Sequence, residues 1–133
     1  MTDEGREWYE ALLDLQLKAN PVLWEALKAR GMKPRSEVRL AFLYVAPGQS
    51  QAEQLEAFLR DKTDYEVKAH AQRKGGRLSG REWYVAGVTQ PEVLTLETVN
   101  EWAEWMIAAG AANGPCAFDG WAGQLASEEP RRS

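Results

Sequence analysis

One cysteine and one histidine, Cys116 and His70, are all that this 133-residue chain has of the two residue types most used as zinc ligands and as nucleophile-base pairs. A structural zinc site takes about four nitrogen or sulfur ligands, so the sequence predicts no metal. A lone thiol closes no internal disulfide. Cys116, between Pro115 and Ala117 with no histidine nearby in sequence, reads as a small buried residue and not as a nucleophile. His70 falls on the polar set of a strand pattern, a solvated position, so general acid-base chemistry has no evident centre. Phosphate-binding loops are missing too. The one glycine-rich stretch, RKGGRLSG (73–80), has neither the P-loop nor the dinucleotide spacing, and it precedes a strand pattern, not a helix. No apolar run is long enough to cross a bilayer, and no charged-apolar-small leader opens the sequence, which predicts a cytoplasmic chain with no membrane partner. These absences together predict no cofactor and no enzyme activity.

What is present is material for one core. Hydrophobic residues make up 44% of the chain and charged residues 27%, ordinary values for a globular domain, and six tryptophans need burial. The formal net charge of −4 provides no global positive field to draw the chain to nucleic acid.

Periodicity divides the chain. In residues 3–19 Trp8, Leu12, Leu15 and Ala19 recur at helical spacing behind an acidic first turn. Asn20-Pro21 then reads as an N-cap with proline at the first helical position, starting a second short helix with Val22, Leu23 and Leu27 inward and Gly31 as its left-handed stop. SEVRLAFLYVA (36–46) is apolar on both alternating sets after Arg39, the mark of a central strand covered on both faces. A helix with Ser50 as cap follows. YEVKAHAQ (65–72) alternates as a half-solvated edge strand does, and REWYVAGV (81–88) is again apolar on both sets. Thr95 caps a helix with Leu96, Val99, Trp102, Ala103, Met106 and Ile107 inward, ending at Gly110, and PCAFDGWAGQL (115–125) supplies a last short strand.

The order strand, helix, strand, strand, helix, strand predicts an α+β, ferredoxin-like βαββαβ sandwich with a four-stranded antiparallel sheet. That topology centres the first and third strands, the two that are apolar on both sets. Residues 1–35 are then an N-terminal helical extension, 36–125 the ferredoxin-like domain and 126–133 a mobile tail. Because two helices cover only one sheet face, Leu43 and Val45 need another cover. The N-terminal helices are expected to supply it, with a homodimer as the alternative to a monomer.

Three features invite a functional reading. Asp119-Gly120 lies between Phe118 and Trp121. Either Gly120 supplies a positive φ for a turn or bulge that anchors two aromatics, or Asp119 and the edge of Trp121 bind a partner. Trp102 and Trp105 sit three apart on one helix, and a ring left at the core's rim, such as Trp105, would suit a protein contact. Arg73, Lys74, Arg77 and Arg81 place four cations in nine residues before Trp83 and Tyr84, a possible nucleic-acid patch in an acidic chain.

An aromatic followed by Asp-Gly-Trp after the second helix of such a domain resembles the signature of the ribonuclease E inhibitor family, the regulators of ribonuclease E activity B. Here the match is Phe118, Asp119, Gly120 and Trp121, and looser likeness runs over 37–125 through the aliphatic first strand and DYEV (64–67). The resemblance implies a non-catalytic protein whose partner is ribonuclease E and whose binding damps RNA cleavage; the contact candidates for such a partner are the residues read above, Asp119, Gly120, Trp121 and Trp105. Family members often carry strongly acidic C-terminal extensions, whereas the last eight residues here hold Glu128 and Glu129 beside Arg131 and Arg132. The alternatives are an RNA-binding module using the basic hairpin, and an adaptor or immunity-type protein with an unrelated partner.

Overall fold

The computed structural model describes residues 2–73 and 81–125. Its elements are α1 (Asp3–Ala29), β1 (Glu37–Ala46), α2 (Gln49–Lys62), β2 (Glu66–Arg73), β3 (Arg81–Val88), β4 (Glu92–Val93), α3 (Leu96–Ala112) and β5 (Ala117–Leu125). The strands form one antiparallel sheet in the order β2-β3-β1-β5, the ferredoxin-like order, with β1 and β3 central as their composition requires.

A fifth strand, β4, was not foreseen. Its two residues pair with Glu37 and Val38 at the start of β1, continuing the course of β3 beyond Pro91, which has no N–H to give a ladder. Thr89 fills the gap: its N–H donates to the Leu40 carbonyl at 3.0 Å and its hydroxyl accepts from the Leu40 N–H at 2.9 Å.

The pleat of β1 divides the sheet. Val38, Leu40, Phe42, Tyr44 and Ala46 are buried and face the helices, while Arg39, Ala41, Leu43 and Val45 are half-buried on the opposite face. From β3 and β5 the helix side receives Val85, Phe118, Trp121 and Leu125. Leu55 and Leu59 of α2 and Val99, Met106 and Ile107 of α3 close this single core.

Four expectations are corrected. The N-terminal segment is one helix, and Pro21 lies inside it. Proline removes one bond, to the Leu17 carbonyl, but the inward stripe of Tyr9, Leu13, Gln16, Asn20, Leu23 and Leu27 keeps its phase across that point, so packing carries the helix through. Leu15, on the helical spacing of the first segment, and Val22, read as inward, are 65% and 70% exposed.

Secondly, this helix does not cover the far face of the sheet. Leu27 lies against Gly123 on the helix side of β5, and Asn20 bonds to Asn100 of α3, so α1 widens the existing helix layer beside α3. Among the described residues no helix lies over Leu43 and Val45. Thirdly, Gly110 does not end α3, which continues to Ala112. A Cβ there would meet the Cys116 carbonyl at 2.6 Å and the Tyr44 ring at 2.7 Å, so glycine at this position lets helix and sheet approach. Fourthly, α2 is capped at Gly48, and Ser50 lies inside the helix. The expected Thr95 cap is present, its hydroxyl accepting from the Thr98 N–H at 3.1 Å. The tail 126–133 lies outside the described residues.

Candidate protein-binding surface

The Asp119-Gly120 pair is a β-bulge. Leu43 pairs with Gly120 and Tyr44 with Phe118, which leaves Asp119 as an extra residue with no partner on β1. Phe118 and Trp121, three apart, would point to opposite faces of a regular strand. The inserted residue puts both on the helix side, where they are 5% and 6% exposed. Gly120 has φ +119°, a conformation that favours glycine. The Asp119 side chain is exposed.

Trp121 is tied from behind. Its indole N–H donates to Asn20 Oδ1 at 2.7 Å, the same oxygen accepts from Gln16 Nε2 at 2.7 Å, and Asn20 Nδ2 donates to Asn100 Oδ1 at 2.9 Å. Asn20 is wholly buried, so this network satisfies a polar group that would be costly there unpaired. The polar edge of Trp121 is therefore engaged inside the molecule. Gln16 and Asn100 carried no sequence signal and Asn20 carried that of a helix cap, since the partners that define their roles are remote in the chain.

Opposite the helices the sheet is open. Ala41, Leu43 and Val45 of β1 lie beside Val88, Ala86 and Tyr84 of β3, all half-buried, and Ala122 of β5 extends the patch. His70 stacks on Tyr84, their ring centroids 5.6 Å apart and the planes 20° from parallel. The Tyr84 hydroxyl donates to Glu82. That bond holds the Tyr84 phenol above its ordinary value, burial adds to the shift, and the charges of Glu82 and Asp119 act in the same direction. Asp119 thus acts on the open face, together with Ala41, Leu43 and Ala122, which line the same shallow depression.

Side chains occupy both outer edges. On β2 the Val67 carbonyl accepts from Arg60 Nε and Nη2 at 3.0 and 2.8 Å, and the Ala69 N–H donates to Glu56 at 2.6 Å. On β5 the Gly123 carbonyl accepts from Arg30 at 2.8 Å, and the bulge interrupts the line of the strand. Such edges resist the addition of a foreign strand.

The remaining candidates lie elsewhere. Trp105 is 42% exposed and stacks on Phe58 in the groove between α2 and α3, in the helix layer, so it shares no neighbour with Asp119. Its neighbour Trp102 is half-buried and donates to the Tyr65 hydroxyl at 3.1 Å. Of the basic hairpin, Arg73 and Arg81 face each other on the last rung between β2 and β3, while Lys74 and Arg77 lie outside the described residues. Among the described residues no three of His, Cys, Asp and Glu gather as metal ligands, and no helix is long and apolar enough to cross a membrane. Cys116 is buried, and that burial pushes its thiol up to about 11.

Comparison with protein families decides the affiliation. The family model described as regulator of ribonuclease activity B matches residues 18–122, most of the chain. The chain belongs to the regulator of ribonuclease activity B family. Comparison with curated proteins gives no match. Within this regulator of ribonuclease activity B chain, the matched segment contains Asn20, Asn100 and Trp121, hence the buried network that holds the aromatic-Asp-Gly-Trp segment, together with β1, β2 and β3 of the open face and β5 as far as Ala122. The family description assigns regulation of ribonuclease activity as the function class.

Proposed function

We propose that the chain acts by binding and catalyses nothing: it docks on ribonuclease E and lowers RNA cleavage. Beside the family affiliation, one observation carries this reading. The sheet keeps open a face that is apolar at its centre, on β1 and β3, and polar along β2, while side chains occupy its edges, an arrangement suited to face-on contact with a folded partner and not to strand addition. Four strands about 4.8 Å apart and about 25 Å long offer roughly 500 Å², short of the roughly 800 Å² per partner of a standard interface. The contact therefore extends to the rim, where Asp119 and Gly120 lie. Trp121 supports that rim from inside, and Trp105, on the helix layer, belongs to a second contact or to none.

The test is titration of the purified chain into ribonuclease E, recording binding by calorimetry and cleavage of a labelled RNA in the same buffer. Saturable binding with slowed cleavage is expected. Leu43→Glu and Asp119→Lys should each weaken binding roughly tenfold or more while leaving the thermal midpoint in place. Absence of binding by the wild-type chain sinks the reading.

A second reading, direct contact with RNA, is favoured by the His70–Tyr84 stack, which lies on the open face close to the Arg73–Arg81 rung. It predicts affinity for RNA alone that falls steeply with salt and is lost when Arg73, Lys74 and Arg77 become glutamate.

A further inference from the structure

A cavity of about 310 Å³ lies where the end of α1 and the loop after it meet the start of α3. Its walls are apolar: Trp24, Met32, Pro34, Leu94 and Leu96. Lys28 and Lys33 also line it, and both are exposed. The run from Lys28 to Ser36 holds Lys28, Arg30, Lys33 and Arg35 and no acid, which is unusual in a chain of net charge −4. Arg30 is committed to the Gly123 carbonyl, and Lys28 contacts Glu25 at 3.3 Å in an exposed pair worth little. Among the described residues no carboxylate pairs with Lys33 or Arg35. Positive charge at this site is thus concentrated around a concave apolar wall.

The two halves of the site ask for different things of a ligand. A wall built of an indole, a thioether and leucines is best filled by a large apolar side chain, since each such group removed from water contributes roughly 2 kcal/mol. Exposed lysines around it favour carboxylates and select against like charge. A nucleic acid would satisfy the lysines and could stack a base on the Trp24 indole, but Met32, Pro34, Leu94 and Leu96, the rest of the wall, offer bases no further aromatic face and suit an apolar side chain better. Arg35 lies beyond the cavity, so the charge continues past the space for a single side chain, as an extended ligand requires.

We propose that this cavity is a docking site for an acidic peptide segment of a partner protein, which seats one aromatic or large aliphatic side chain against Trp24 and Met32 and sets its carboxylates against Lys28 and Lys33. The site is separate from the open sheet face and does not depend on which enzyme the chain regulates. It makes the chain a two-surface protein, able to hold a flexible acidic segment while the sheet face engages a folded body.

The test uses fluorescein-labelled peptides about 12 residues long, rich in Asp and Glu, with either Phe or Ser at the centre, and a neutral peptide with the same Phe. Binding to the full chain is followed by anisotropy, and the site by amide shifts in two-dimensional NMR. The acidic Phe peptide should bind, with the Ser and neutral peptides each at least roughly tenfold weaker. Shifts should concentrate at residues 24–34 and 94–96. The exposed double substitution Lys28→Glu, Lys33→Glu should cost at least tenfold without moving the thermal midpoint. Equal binding of the Ser peptide, shifts confined to the sheet face, or absence of binding overturns the proposal. So does a labelled single-stranded RNA that binds more tightly than the Phe peptide and is lost with the same double substitution. No ribonuclease enters this experiment, so its outcome is separable from the docking reading above.

Discussion

The indole N–H of Trp121 donates to Asn20 Oδ1 at 2.7 Å, joining the last strand to the first helix across 101 positions of sequence. Replacing Asn20 with alanine leaves the Trp121 N–H and Gln16 Nε2 short of a partner in a buried setting, and Asn100 Oδ1 in a half-buried one. The expected loss is about 2–4 kcal/mol in denaturant unfolding. A double-mutant cycle of Asn20→Ala with Trp121→Phe should return a coupling of about 1–2 kcal/mol. Additive effects would mean that the bond contributes no net stability.

The bulge makes a sharper claim about Gly120. A Cβ there would meet nothing nearer than Gln16 Oε1 at 3.9 Å, so room is not at issue and the backbone conformation is. Gly120→Ala should cost about 1 kcal/mol and Gly120→Val about 2–3, because a branched side chain tolerates φ +119° least. Wild-type stability in the valine variant would remove the assignment of a left-handed residue at this position.

Much of this architecture is legible in the sequence. Alternation in 36–46 and 65–72 and double-sided apolarity in 81–88 give strand order and centrality, and Thr95 announces α3. The failures have physical causes. Asn20-Pro21 has the chemistry of a helix start, and two polar residues, Gln16 and Asn20, interrupt the apolar stripe at just that point. Only partners 80 and 101 positions away turn Asn20 into a core residue. Local capping preference was overruled by tertiary packing. Double-sided apolarity in β1 suggested a second covering layer, yet Ala41, Leu43 and Val45 stay half-buried on the open face. Sequence pattern records that a residue is apolar and not what covers it. At the candidate site, the three-residue spacing of Phe118 and Trp121 was compatible with a bulge, but the burial of Trp121's polar edge needed α1 in place.

Edge closure on β2 predicts a phenotype beyond stability. Arg60 and Glu56 occupy the outward carbonyl of Val67 and the outward N–H of Ala69. Arg60→Ala should cost only about 1 kcal/mol, since the carbonyl freed is near water. It should nonetheless raise aggregation on heating, measured by light scattering at matched protein concentration, because an unblocked edge templates pairing with other chains. Arg60→Lys, with a single donor group and no fork, should fall between. Unchanged scattering in Arg60→Ala would mean that the edge is guarded by something other than this pair.

The core also sets an alkaline limit. Cys116 is buried, its Sγ 3.6 Å from the carbonyl oxygens of Gln51 and Asn113, and burial raises its thiol to about 11. In the unfolded chain a thiol loses its proton from about pH 8.5. Between these values the native state holds more protons than the unfolded state, so unfolding free energy must fall as pH rises through that window. Tyr44, whose hydroxyl donates to the Met106 carbonyl at 2.7 Å, is raised by burial and by the neighbouring Cys116 and steepens the decline above about pH 10. Denaturant midpoints should therefore drop from about pH 8.5 upward, and Cys116→Ala should flatten the first part of that fall while leaving most of the later part, which belongs to Tyr44 together with the other raised phenols, Tyr65, Tyr9 and Tyr84. If the variant follows the wild-type profile throughout, the thiol is not the group that titrates.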